Sequence, residues 1–177
     1  MSPTNGLASA STTFKVPSIN CSSGASLGER FGVSDDGYTA QSWVNMQCSG
    51  TTPEYQFEVD ANGSQFVENG VSAGDTVVAS IFADSSVTQA TVHDLTSGYT
   101  WVADGSPVAL TGAFMGSFYL NEFWPFAPFN TTTFSKSQIN GDYIAFENPA
   151  RWNYKYGGAV VHTSPLSGGD SFKLSYS

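Results

Sequence analysis

Between residues 71 and 102 polar and apolar side chains alternate in three consecutive runs, at 76–82, 88–94 and 99–102. A period of two marks a strand with one buried face. The last two runs are separated by Leu95-Thr96-Ser97-Gly98, a tight turn in which glycine reaches positive φ cheaply. Another turn, Ser72-Ala73-Gly74-Asp75, precedes the first run. Three short strands joined this way cannot bury their apolar faces alone, so the chain must supply a second layer.

The rest of the sequence repeats that grammar and contains no convincing helix. Strands are expected at residues 14–21, 31–33, 38–47, 55–59, 109–119, 131–135, 143–147, 159–162 and 171–176. The predicted fold is therefore all-β, a lectin-like or jelly-roll sandwich of two antiparallel sheets. Residues 1–12 read as a disordered leader, and residues 13–177 as a single domain. Within the strand at 38–47, Gln41 and Trp43 share one face while Ser42 and Val44 share the other. Four aromatics and two prolines crowd residues 121–129, which excludes a central strand there and predicts a rigid aromatic lip.

Charged residues are only 12% of the chain, about half the usual share, with a net charge of −9. Nucleic acid and anionic membrane need a basic footprint and are poor partners for such a surface. A secreted, extracellular protein working at low pH fits better, because protonation relieves the self-repulsion of the carboxylates. The expected state is a monomer. Cys21 and Cys48 would most simply pair, adding about 3 kcal/mol by the chain-entropy argument. Two buried thiols are the alternative.

Candidate chemistry is sparse. His93-Asp94 in a serine-rich chain permits a Ser-His-Asp arrangement formally, but no GxSxG elbow accompanies it. Spacings for zinc, an EF-hand or a phosphate cradle are missing, so neither metal nor cofactor is expected. Asp35-Asp36 beside Gly37 reads as a solvated turn. Glu54, Glu58, Glu122 and Glu147 are the carboxylates weighed as acid/base groups, since an aromatic sheet face can raise a carboxyl pKa by desolvation.

Several segments stand out in order: Thr13-Phe14-Lys15-Val16-Pro17-Ser18 with Cys21, and Ser72-Ala73-Gly74-Asp75-Thr76 leading to Ala90-Thr91-Val92-His93-Asp94-Leu95-Thr96-Ser97-Gly98. Trp124-Pro125-Phe126-Ala127-Pro128-Phe129 and the ending Val161-His162-Thr163-Ser164-Pro165-Leu166-Ser167 follow. Together they resemble the secreted glutamic peptidases, the eqolisins. The resemblance implies a sandwich of two seven-stranded antiparallel sheets. It also implies acid peptide hydrolysis by a glutamine and a glutamate on a concave face. The glutamate takes a proton from the attacking water, and the glutamine amide stabilises the oxyanion.

By that resemblance the glutamine is Gln41. The glutamate position falls on Ala113, in Gly112-Ala113-Phe114-Met115-Gly116, and the nearest carboxylate beyond it is Glu122. Gln41 and Glu122 are thus the candidate catalytic residues, with Trp43, Phe57, Phe114, Phe123 and Trp124 as candidate substrate-binding residues. Two functions follow. One is an acid endopeptidase of glutamic type, weakened by Ala113. The other is a non-catalytic module holding a glycan or peptide in an aromatic cleft.

Overall fold

The computed structural model describes residues 7–22, 27–118, 125–156 and 158–177, with only the backbone of residue 156. Fourteen strands follow one another: β1 (Ser9–Lys15), β2 (Gly28–Asp35), β3 (Ala40–Ser49), β4 (Thr52–Ala61), β5 (Ser64–Asn69), β6 (Thr76–Ala83), β7 (Thr88–Asp94), β8 (Thr100–Gly105), β9 (Ala113–Phe118), β10 (Thr132–Ile139), β11 (Asp142–Tyr143), β12 (Tyr154–Tyr156), β13 (Ala159–Thr163) and β14 (Phe172–Tyr176). They form two antiparallel sheets, as the alternation predicts. The larger runs β12-β13-β14-β10-β1-β6-β7-β8, with β11 beside β10, and the smaller runs β5-β4-β3-β2-β9. Among the described residues the division is therefore nine strands and five, not the seven and seven that the resemblance implies.

The inward faces carry the core. Val77, Ala79, Ile81 and Ala83 of β6 and Ala90 and Val92 of β7 point inward, as their alternation requires. Opposite them lie Ala40, Val44 and Met46 of β3 and Phe57, Val59 and Ala61 of β4. The small residues let the sheets approach; phenyl rings fill the wider end. Phe14, Phe134 and Phe172 stand opposite one another on β1, β10 and β14. Their rings stack in sequence, with centroids 4.9 and 5.0 Å apart. Phe31 of β2 meets Phe14 edge-on at 6.2 Å and so joins the small sheet to the stack.

Four expectations need correction. Residues 9–12, read as leader, belong to β1, where Ala10 and Thr12 are buried and Ser9 begins the pairing with β6. Residues 1–6 lie outside the described part. The expected strand at 143–147 is mostly a single 3₁₀ turn, Ile144–Glu147, ended by Asn148 at φ 47°. It buries one side chain, Ile144, and beyond Tyr143, which pairs with Gln138 of β10, no ladder continues among the described residues. The strand expected over 14–21 ends at Lys15, and β5 and β12 were not anticipated. Residues 121–124 of the expected aromatic lip also lie outside the described part. The lip's visible end buries Phe126, Ala127 and Phe129 in the core.

Cys21 and Cys48 do form a disulfide, with Cα atoms 5.4 Å apart. It ties the loop after β1 to the far end of β3, where Cys48 N–H also donates to Leu27 O at 2.9 Å.

Two stability measurements test this core. Phe134→Ala removes the middle ring of the stack and should cost about 3–5 kcal/mol in urea unfolding. Replacing both cysteines by serine should cost about 2–4 kcal/mol with no change in the far-ultraviolet spectrum of the folded state.

Candidate functional site

The outer face of the five-stranded sheet is where the polar and aromatic side chains converge, and strand register decides which of them are neighbours. One transverse row reads Phe114, Ser34, Gln41, Asp60, Gln65, from β9 to β5. The next reads Gly116, Gly32, Trp43, Glu58, Val67, and the third Phe118, Arg30, Asn45, Gln56, Asn69. Directly opposed residues on one face have Cβ atoms about 5 Å apart, so each row is a line of contacts.

Gly32 makes this surface possible. A Cβ there would overlap the Ser42 carbonyl and crowd the Trp43 ring, so only glycine lets the indole lie against β2. The Arg30 guanidinium stacks over that indole at 5.8 Å, and Phe118 closes on it edge-first at 5.2 Å.

Hydrogen bonds then fix the polar groups. Trp43 Nε1 donates to Gln41 Oε1 at 3.1 Å, and Gln41 Nε2 donates to Tyr38 O at 3.0 Å. These two bonds set the plane of the Gln41 amide, and among the described residues nothing takes its second Nε2–H. Glu58 is held on both oxygens, by Asn45 Nδ2 at 2.6 Å and Gln65 Nε2 at 2.9 Å. Asp60, two residues along β4 on the same face, has its pKa raised from the usual value. Desolvation is the main cause, opposed by a hydrogen bond from the Gly63 N–H and reinforced by the Glu58 charge.

Aromatic rings border this polar strip on the β9 side. Phe114 lies parallel to Tyr38 at 6.5 Å, edge-on to Phe118 at 5.8 Å and edge-on to Trp152 at 6.4 Å. Tyr38 and Trp152 are largely open to solvent, at 53% and 69% exposure. Tyr38 sits at φ 54° in the β2–β3 turn, a left-handed conformation uncommon for an aromatic residue.

The sequence-predicted residues divide three ways. Gln41, Trp43 and Phe114 come together on this face. Phe57 does not: it is 1% exposed in the core, its ring 4.0 Å from Trp101. Ala113 does not face Gln41 either. It pairs with Asp35 and is 2% exposed in the core, so Phe114 takes the position in line with Gln41 across β2. Glu122, Phe123 and Trp124 lie outside the described residues. Of the other carboxylates weighed, Glu54 sits at the strip's edge, taking a bond from Gln47 Nε2 at 2.9 Å, and Glu147 is far away on the 3₁₀ turn. Asp94 holds the β7–β8 turn through Thr96 N–H and Ser97 Oγ, which absorbs it into local structure. Asp60 was missed. Counting eight residues outward along each strand from the Ser49–Thr52 pair lands on Gln41 and Asp60. A hairpin register drawn from the Ser49-Gly50-Thr51-Thr52 turn would have found it.

The fold has counterparts among solved structures. A scytalido-glutamic peptidase with a peptide-based transition-state analogue aligns at TM-score 0.75 and 21% identity, over 97% of this chain and 93% of that one. SCP-B, a member of the eqolisin family of peptidases solved with the tripeptide Ala-Ile-His, aligns at 0.72 and 20% over the same shares. Aspergilloglutamic peptidase from Aspergillus niger aligns at 0.61 and 20%, over 85% of this chain and 99% of that one. The fold is that of the glutamic peptidases. No family model and no curated protein matches the sequence.

Beneath the strip, Glu29 points inward from β2 with no exposed surface. Ser117 Oγ–H donates to its Oε1, while Oε2 has no hydrogen-bond partner among the described residues. Burial raises its pKa well above the usual carboxyl range, against the smaller effect of the Ser117 bond. The folded chain therefore holds a proton that the unfolded chain releases above about pH 4.5. Stability from this group is complete below that pH and is lost as pH rises toward the folded pKa. The urea midpoint should fall across that window, and Glu29→Gln should flatten the fall.

Gly32→Ala gives a second test. Overpacking against β3 should cost about 1–3 kcal/mol and disturb the Trp43 fluorescence.

Proposed function

We propose that this chain is a secreted protein that binds extended peptides across the outer face of its five-stranded sheet, on a glutamic-peptidase scaffold whose usual acid/base position is vacant. The observation that carries the reading is the row through Gln41. The glutamine keeps a hydrogen-bonded, oriented amide, while across β2 the row ends in Phe114, which cannot accept a proton. The neighbours solved with a peptide-based analogue and with Ala-Ile-His make a peptide the leading ligand class. The disulfide and the scarcity of lysine and arginine fit an extracellular setting.

The chemistry of the strip suits such a ligand. Backbone amides of a peptide can meet the Gln41 amide, and its apolar side chains can rest on Phe114, Tyr38 and Trp152. The exposed Trp152 and Tyr38 rings also favour a second reading, stacking on a sugar ring. Arrays of peptides and glycans screened at about pH 4 separate the two.

Trp152→Ala and Phe114→Ala should each weaken peptide binding by about 10–100-fold, measured by calorimetry, with unchanged unfolding midpoints for Trp152→Ala. Peptide affinity that survives both changes would place the ligand elsewhere. Casein digestion between about pH 2 and pH 5 should run about 10²–10⁴-fold below that of an intact glutamic peptidase, the share a general base contributes.

A further inference from the structure

We propose that Asp60 and Gln41 form a hydrolytic pair, Asp60 as the general base and Gln41 as the oxyanion donor, through which the chain cleaves bound peptides slowly. This rests on the peptide-binding reading above and adds a reaction to it. Asp60 is Gln41's direct cross-strand partner, on the same open face of the sheet, and both side chains are partly exposed to water. No carboxylate on β9 is needed, because β4 brings one to Gln41 from the other side.

Three features suit the pair to hydrolysis. The Gln41 amide is fixed by Trp43 Nε1 and Tyr38 O, so its free Nε2–H has a set direction and costs no reorganisation when an oxyanion forms. Glu58, beside Asp60 on the same face, is clamped on both oxygens by amide donors, so of the two carboxylates Asp60 is the one left to act as base. The Gly63 N–H holds the Asp60 carboxylate while leaving it an oxygen for water.

The steps balance without a cofactor. Water oxygen attacks the peptide carbonyl carbon as Asp60 takes one of its protons. The carbonyl oxygen becomes an oxyanion and accepts the Gln41 Nε2–H. Protonated Asp60 then gives its proton to the amide nitrogen, the C–N bond breaks, and the products are a carboxylic acid and an amine. Asp60 ends as it began.

The test uses the full chain and the peptides captured on the array, made as fluorescence-quenched substrates. Wild type, Asp60→Asn, Asp60→Glu, Gln41→Ala and Glu122→Gln are purified identically. Cleavage is followed from about pH 3 to pH 6, and binding of each variant is measured separately. The expected result is slow wild-type cleavage that falls at least about 100-fold in kcat in Asp60→Asn and Gln41→Ala, while the peptide Kd of Asp60→Asn stays within about threefold. Wild-type kcat should rise with pH as Asp60 ionises, and Asp60→Glu should restore part of the rate with a displaced profile. Cleavage undiminished in Asp60→Asn, or lost only in Glu122→Gln, overturns the proposal. Loss of peptide affinity along with cleavage in Asp60→Asn overturns it too, since Asp60 would then be structural. Binding without cleavage by wild type ends the hydrolytic pair but leaves the binding protein standing. Absence of binding ends both.

Discussion

The stack of Phe172, Phe134 and Phe14 is the contact on which the rest of this sandwich depends. Each ring sits opposite the next across a strand pair, so the stack can form only when β14, β10 and β1 are in one register. A slip of one residue would send all three rings to solvent. Phe31 then carries the constraint from the large sheet to β2 of the small one. The position of β2 decides that of β3 and β9, and hence which side chains share a row with Gln41. A packing contact in the interior thus sets chemistry on the outside.

That dependence explains what could be read from the sequence and what could not. Strands β6 and β7 were legible because each alternates cleanly, with alanine and valine in one parity and polar residues in the other. Gln41 and Trp43 were rightly placed on one face for the same reason. The error at Ala113 and Phe114 is of a different kind. Alternation assigns faces within a strand but does not say which residue of β9 stands beside which residue of β2. Matching a motif by position put Ala113 in line with Gln41; the register with β2 puts Phe114 there. Phe57 failed similarly, since an aromatic in an alternating strand suits either a cleft or a core. The short turn at Ile144–Glu147 had no signal beyond its apolar residues, which read equally well as strand.

Glycine and tyrosine hold the cleft in ways the pattern hides. Gly32 leaves the space that Trp43 fills, and Trp43 in turn orients Gln41 through its indole N–H. Tyr38 accepts from the same glutamine through its carbonyl while its ring lies over Phe114. The Gln41 amide is therefore held by groups that also form the aromatic border, so ligand contact and amide orientation are mechanically linked.

The carboxyl groups together point to the conditions under which this fold works. Glu29 is buried with one hydrogen-bond donor and, among the described residues, no opposing charge, an arrangement that is comfortable only when protonated. Asp60 is desolvated and sits beside the Glu58 charge, and both effects favour its neutral form. The chain as a whole carries nine more acidic than basic charges at neutral pH. Each of these would oppose folding or ionisation near pH 7, and each is relieved by protonation. A core residue, a surface residue and the net charge have different structural reasons for existing, yet acid favours all three. Protonation therefore favours the sandwich itself, independently of the chemistry on its outer face.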